Sequence, residues 1–340
     1  MTPVRSAFEA RPTDSLGGVD LPYVVMLPVL GIPTRFATND HAMLGIVDES
    51  FGIWRVLEAP DVLERGSEQA VQVHIVVSAS GDDETSEAGD ATIRHEMSGD
   101  LGFVARSAHG IATSHPARRV ATVHASRALM ADQARFRTEM LEAVVLALLS
   151  CYDRHPVHAA AVARHGHALL FAAPSGTGKS TLAYACHAAG LDLLGDDHVR
   201  VQLEPTLRLW GWPARLRLLA DSAERVGAVH APPQLLNGKW KTVIDARDGV
   251  TAARLIASDA TVCVLSRDGG PLALEPLSPE ALTRALDEQL APGFDLFPAR
   301  WPAVTRALSA RGGWRLNLSD DPHEAVPIVR DLLARATRRA

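Results

Sequence analysis

Residues 157–201 read VHAAAVARHGHALLFAAPSGTGKSTLAYACHAAGLDLLGDDHVRV, and this stretch decides how the rest of the chain is organised. The apolar run HALLFAA at 167–173 has strand character, and a loop of small residues, PSGTGKS at 174–180, follows it. From Lys179 to Ala189 the spacing predicts a helix, and LDLLGDD at 191–197 predicts the next strand. Strand, small-residue loop, helix and strand in this order imply an α/β core with helices packed on a sheet.

The loop carries chemistry in its residue types. Gly176 and Gly178 have no side chain, so the backbone N–H groups between Ala173 and Ser180 can turn inward around anionic oxygens. The helix that starts at Lys179 presents the positive end of its dipole to the same point. Ser175, Gly176, Thr177, Gly178, Lys179, Ser180 and Thr181 are therefore the candidate nucleotide-binding residues. Lys179 is placed to reach β and γ phosphates, and Ser180 supplies the hydroxyl suited to Mg2+. The strict motif has glycine at its first position, where Ala173 stands here. The expected ligands are ATP and Mg2+.

Asp196 and Asp197 end the strand after the loop's helix. In a parallel sheet that end lies on the ligand side, so these carboxylates are candidates for proton acceptor and metal ligand.

Working outward, the first half of the chain reads as short strands bounded by Gly, Pro or Asp: PYVVMLPVL at 22–30, IPTRFAT at 32–38, VQVHIVV at 71–77, GFVARSA at 102–108 and VATVHAS at 120–126. The acidic run SASGDDETSEAGD at 78–90 lacks apolar periodicity and predicts a surface loop. From Ala131 to Tyr152 the period becomes helical, with Phe136, Met140, Val144, Leu148 and Cys151 on one face. Downstream, ATVCVLSR at 260–267 predicts a buried strand, SPEALTRALDEQL at 278–290 a capped helix, and residues 320–339 a terminal helix. The expected organisation is a strand-rich α+β module over 1–130, a connecting helix over 131–152 and an α/β P-loop domain over 153–340.

Composition sets the bounds. The chain has 340 residues, 47% of them hydrophobic, and a formal net charge of -6 spread over both signs. Neither a nucleic-acid surface nor a disordered acidic chain follows from that balance. No run approaches a membrane helix, and MTPVRSAFEARPTDS at 1–15 lacks a secretion signal's apolar core, so a cytoplasmic address is expected. Cys151, Cys186 and Cys263 are isolated and read as small hydrophobes. Lysine occurs only at 179, 239 and 241, every other basic residue being arginine. A chain that keeps lysine so rarely points to Lys239 and Lys241 as places where a compact ammonium is needed.

Three pieces together resemble the catalytic domain of HPr kinase/phosphorylase and the bacterial HPr-kinase-like kinases of proteins and peptides. They are the histidine strand PVHAAAVARHGHALLFAA, the compact loop-helix unit PSGTGKSTLAYACHAAG, and the double acid GDDHV close behind it. The resemblance covers residues 157–201 and thins beyond Trp212. It implies a fold similar to phosphoenolpyruvate carboxykinases and transfer of the γ-phosphoryl group of ATP to a serine hydroxyl. It further implies Asp196 as the base, Asp197 as its partner near the metal, and His158 as the histidine that accompanies the base. The family's acid-bearing signature after the double acid corresponds here to LRLWGWP at 207–213, with Arg208 in the acid's place. Arg215, Arg217, Lys239 and Lys241 are the cations available to a transferring phosphoryl group, and Lys239 and Lys241 are the preferred pair. The expected partner is a protein or peptide bearing the acceptor hydroxyl, and the resemblance implies oligomers; nucleic acid and membrane are not expected. A nucleotide-gated binding module and a carboxykinase-like or other small-molecule kinase remain open alternatives.

Overall fold

The computed structural model describes residues 15–57, 70–78, 92–98, 102–197, 199–213, 215–228, 233–236, 239–247, 249–290 and 298–338. It falls into two compact units, Met1–Tyr152 and Asp153–Ala340. Most of the acidic run expected to form a surface loop lies outside the described residues.

The first unit is built on a seven-stranded sheet. Its strands are β1 (Tyr23–Val29), β2 (Ile32–Thr38), β3 (Val71–Ser78), β4 (Arg94–Ser98), β5 (Gly102–Ser107), β6 (Gly110–His115) and β7 (Val120–Ser126). They lie in the order β1-β2-β3-β7-β6-β5-β4. β3 runs parallel to both its neighbours, and the other pairs are antiparallel. Phe36 stacks on Phe51 of helix α1 (Met43–Phe51) at 5.2 Å between ring centroids, and Phe51 on Trp54, all three fully buried. Full burial of such an aromatic side chain contributes roughly 1.5–3 kcal/mol.

The helical face expected from 131 onward is present. Asp132 caps its start by accepting the Arg135 N–H at 3.1 Å, and Phe136, Met140, Val144 and Leu148 are all fully buried. Over Phe136–Glu142 the helix widens to a π-type turn, where buried Arg137 donates to Glu142 at 2.9 Å; α2 (Ala143–Ser150) continues from it.

The second unit holds the phosphate-loop sequence. Its central sheet has six strands, β9 (Ala159–Arg164), β10 (His167–Ala172), β11 (Asp192–Gly195), β18 (Asp259–Ser266), β19 (Ala273–Leu277) and β20 (Gly313–Asn317), ordered β11-β9-β10-β18-β20-β19. Both faces are covered, so the strands read as continuous apolar runs rather than alternating ones. On one face Val162, Leu169, Phe171 and Cys263 pack against α3 (Lys179–Ala188) and α6 (Val326–Thr337) through Leu182, Cys186, Val329 and Leu333. On the other, Ala161, Leu170, Val262 and Val264 meet α4 (Pro279–Asp287) and α5 (Trp301–Ser309) through Leu282, Leu286, Val304 and Leu308.

A four-stranded antiparallel sheet joins that second face. Its strands are β8 (His155–Val157), β12 (Val199–Gln202), β13 (Arg208–Trp210) and β17 (Ile256–Ala257). A three-stranded sheet orders β14 (Arg215–Leu219), β16 (Lys239–Asp245) and β15 (Gln234–Leu236) as β14-β16-β15. Ser278 caps α4 by accepting the Ala281 N–H, with Pro279 in the first turn. Among the described residues no helix is long and apolar enough to cross a membrane. Cys186 and Cys263 are buried, and burial pushes both thiols up to about 12; Cys151 is partly buried.

The central sheet is mixed. β10, β18 and β20 are parallel neighbours, but β9 is inserted antiparallel between β10 and β11. β11 therefore runs in the same direction as β10 while pairing along its length with β9, and Gly195 at its end bridges to Trp212. The consequence is that one edge of the sheet collects the ends of β10, β11, β18 and β20 together with the start of β9.

Candidate functional site

The phosphate-loop residues and the two acids of the second unit sit on that edge. β10 ends in the loop from Ala173 to Gly178, and α3 begins at Lys179. Gly176 and Gly178 adopt φ of +91° and +118°, conformations that side-chain-bearing residues rarely take. Ala173 has no such requirement; it lies in the core beside Phe171 and Leu182, so the methyl group at the motif's first position is accommodated as packing. Thr177 closes the loop by donating its hydroxyl to the Pro174 carbonyl at 3.0 Å.

Lys179 is 5% exposed, and its Nζ donates to the Ala173 carbonyl at 2.8 Å and to that of Pro174 at 3.4 Å. Its pKa lies below the ordinary lysine value. Burial is the main cause and Lys241 adds to it, while Asp197 and Asp196 act in the opposite sense. Lys179, Lys241 and both carboxylates thus share one electrostatic neighbourhood. Lys241 stands on β16 opposite Leu219 of β14 and Gln234 of β15. Lys239 lies two residues away on the same strand; its side chain lies outside the described residues.

β11 delivers the two acids, and they stand in different surroundings. Asp196 is 7% exposed, and its Oδ2 accepts the Arg217 N–H at 3.0 Å. Its Oδ1 is buried without a hydrogen-bond partner among the described residues. Burial and the neighbouring Asp197 push the Asp196 carboxyl up to about 6, against the opposing influence of the Arg217 N–H, the Ser180 hydroxyl and the Arg217 guanidinium. Asp197 has a φ of +60°, which turns its side chain out of the strand's alternation. Its Oδ1 stands 3.4 Å from His158 Nε2.

His158 sits between β8 and β9, at the point where the chain passes from the four-stranded to the six-stranded sheet. The pairing therefore differs from the sequence expectation in one respect. The histidine faces Asp197, and the Ser180 hydroxyl flanks Asp196. The antiparallel insertion of β9 is the physical reason, because it places His158 beside the end of β11.

A shallow recess adjoins His158, lined by Val157, Ala172, Leu286, Leu290 and Trp301 with Gln289. His155 is bound to Asp153 at 2.9 Å, within the turn where Asp153 also accepts the N–H groups of Leu203 and Glu204. Arg208 begins β13 in the four-stranded sheet and bears electrostatically on Arg154, whose guanidinium lies over the Trp210 ring at 4.6 Å. Glu204 takes its place in that turn through its backbone. Of Arg215, the structure describes the backbone in β14.

Sequence reasoning missed Arg267, the residue immediately after β18. Its Nη2 lies 3.7 Å from the position a Cβ would occupy on Gly178. The usable signal was the rule that loops at the C-terminal ends of parallel strands carry ligand groups, applied to the strand ATVCVLS.

Does this donor set fit Mg2+? Among the described residues no group of three or more His, Cys, Asp or Glu side chains could hold a metal by itself. The unpartnered oxygen of buried Asp196 beside the Ser180 hydroxyl is nevertheless a pair of hard oxygen donors. Magnesium bound together with a nucleotide takes one or two protein ligands of this kind and keeps water or phosphate oxygens for the rest. The residues present fit that mode.

No protein-family model and no curated protein matches the chain. Among solved structures it is similar to one described as "Structure of the Hpr(Ser) kinase/phosphatase from Coxiella burnetii". The match has 13% sequence identity, covers 54% of this chain and 97% of that one, and has a TM-score of 0.28.

Proposed function

We propose that the second unit binds a nucleoside triphosphate at Ala173–Thr181 and transfers its γ-phosphoryl group to a hydroxyl, with a serine of a protein or peptide as the acceptor. The observation that carries this reading is the shared sheet edge, where the phosphate loop, the Asp196–Ser180 pair and the Asp197–His158 pair converge. A site for nucleotide binding alone needs the first two. The Asp–His pair is the addition that transfer to a hydroxyl calls for.

The roles assigned in this proposal exchange the two acids relative to the sequence expectation, on the support of the His158–Asp197 contact and the Ser180 hydroxyl beside Asp196. The N–H groups of the loop and the Lys179 ammonium bind the phosphates. Asp196 and Ser180 would hold magnesium, which when bound with the nucleotide neutralises charge on the β and γ oxygens. Asp197 accepts the proton of the acceptor hydroxyl, and His158 holds that carboxylate in place. The acceptor oxygen forms its bond to the γ phosphorus, the bond between that phosphorus and the bridging oxygen breaks, and the electron pair leaves on the β phosphate of the diphosphate. Lys241, with Lys239 on the same strand, supplies positive charge beside the transferring group. The serine acceptor rests on the resemblance of residues 157–201 to the HPr-kinase-like pattern.

Mass spectrometry of serine-containing peptides incubated with the protein, Mg2+ and ATP tests the proposal. The expected product is phosphoserine that is absent when Lys179→Ala replaces the wild type. A binding module would retain ATP yet yield no phosphopeptide, and that result would overturn the transfer step.

A further inference from the structure

Arg267 is held in position by its surroundings. The loop that carries it is pinned from β20: the Leu318 N–H donates to the Ser266 carbonyl at 2.9 Å, and the Asp268 N–H donates to Asn317 Oδ1 at 3.2 Å. Asn317 Nδ2 donates to the Pro271 carbonyl at 3.0 Å, and Asn317 itself is buried. With its backbone fixed, the guanidinium reaches in two directions. Nη1 donates to Asp320 at 3.2 Å, and Nη2 is the group that lies by Gly178.

That location is electrostatically unfavourable for a cation. Gly178 is the residue before a ten-residue helix whose N-terminal dipole is positive, and Lys179 adds a full charge at the next position. Asp320 offsets little, because its side chain is fully exposed to water. A pinned loop that holds arginine against the positive end of a helix makes physical sense when an anion shares the space. The buried, unpartnered Asp196 oxygen on the same edge independently marks a place built for a ligand.

We propose that Arg267 is a phosphate-binding residue of the nucleotide site, its guanidinium donating from beside Gly178 to the phosphate chain of the bound triphosphate. This rests on the nucleotide-binding reading above. Its planar fork binds two oxygens at once, whereas an ammonium would act as a point charge.

Calorimetric titration of the full chain with Mg·ATP and with Mg·tripolyphosphate, on wild type, Arg267→Ala, Arg267→Lys and Lys179→Ala, tests this. The expected result is a loss of at least about tenfold in affinity for both ligands in Arg267→Ala, less than half restored by Arg267→Lys, with melting temperatures unchanged. Wild-type affinity in Arg267→Ala overturns the proposal. So does a loss confined to ATP, because the contact would then be to base or sugar. Should the alanine variant fail to fold, Arg267→Lys decides: wild-type affinity for both ligands overturns the proposal, and a loss of about threefold or more sustains it. Failure of the wild type itself to bind ATP overturns the parent reading and this one with it, whereas wild-type binding that Lys179→Ala alone abolishes overturns only the role of Arg267.

Discussion

The two edges of the central sheet each carry a histidine beside an aspartate, at nearly the same distance. On the edge proposed to bind nucleotide, called here the nucleotide edge, His158 stands 3.4 Å from Asp197, and on the far edge His167 stands 3.5 Å from Asp259. What surrounds the pairs separates them. At the far edge His167 Nε2 is bonded to the Thr261 hydroxyl at 2.9 Å, and Asp259 is held by Arg311 and by the Ala260 N–H. Burial pushes the Asp259 carboxyl up, but the bonds from Arg311 and Ala260 prevail and hold it below the usual carboxylate value. That cluster clamps β10, β18 and the turn before β20 together: Arg311 and the Ala260 N–H occupy the Asp259 carboxylate, while His167 Nδ1 is buried without a hydrogen-bond partner among the described residues. The pair on the nucleotide edge instead adjoins Lys179 and the Asp196 carboxyl, which is held up near 6 with one oxygen unpartnered. A His–Asp contact therefore says little alone; what separates the two ends is the carboxylate, fully engaged at Asp259 and left with an unpartnered oxygen at Asp196 beside the 173–181 loop.

The comparison breaks most sharply on the acids. Asp197→Asn is expected to lower the rate of phosphopeptide formation by about 10²–10⁴-fold. Asp259→Asn should change it by less than about twofold and cost on the order of 1 kcal/mol of stability, since Arg311 is largely exposed. Equal effects of the two variants on rate would remove the distinction between the edges.

A smaller contrast is expected of the histidines. His158→Ala leaves Asp197 without its support, and turnover should fall by up to about 10²-fold with ATP affinity retained. His167→Ala should leave turnover intact while lowering the melting temperature, because the Thr261 hydroxyl loses its buried partner, at about 1–3 kcal/mol. Turnover measurements and thermal melts on both variants separate these outcomes.

The smallest effect concerns pH and stability. Because the Asp196 carboxyl titrates near 6 in the folded chain and near 3.8 in the unfolded one, the folded state binds more protons between those values. Stability from this group is present below about 3.8 and is lost as pH rises through 6. Asp196→Asn is then expected to melt higher than wild type at pH 8, by roughly 3 kcal/mol or about 6–12 °C, with no advantage at pH 4. A melting difference that is the same at pH 4 and pH 8 would show that the buried carboxyl is ordinary.

What the sequence disclosed and what it withheld follow from locality. Strand, loop and helix over 167–189 are contiguous, and glycine, lysine and serine at fixed spacing carry the proposed phosphate site without reference to the rest of the fold. Lys241 was singled out for a different reason, its rarity; its charge acts on that of Lys179, and its role is part of the proposal. The pairing of His158 with Asp197 was not legible in detail, because it depends on β9 being inserted antiparallel between β10 and β11. A simple parallel sheet had been the expectation for the end of β11. Arg267 is one arginine among many, with no motif, and only the packing of the ends of β18 and β20 around Gly178 distinguishes it. In the first unit the strand periodicity and the apolar face at Phe136, Met140, Val144 and Leu148 were readable, whereas the π-type turn around buried Arg137 was not.

The claim beneath all of this is that the nucleotide edge is the one that binds, and calorimetry with Mg·ATP on wild type, Lys179→Ala and Asp259→Asn measures it directly. The account predicts equal affinity for wild type and Asp259→Asn, and an affinity weaker by about 10²-fold or more for Lys179→Ala. Unchanged affinity in Lys179→Ala would contradict it.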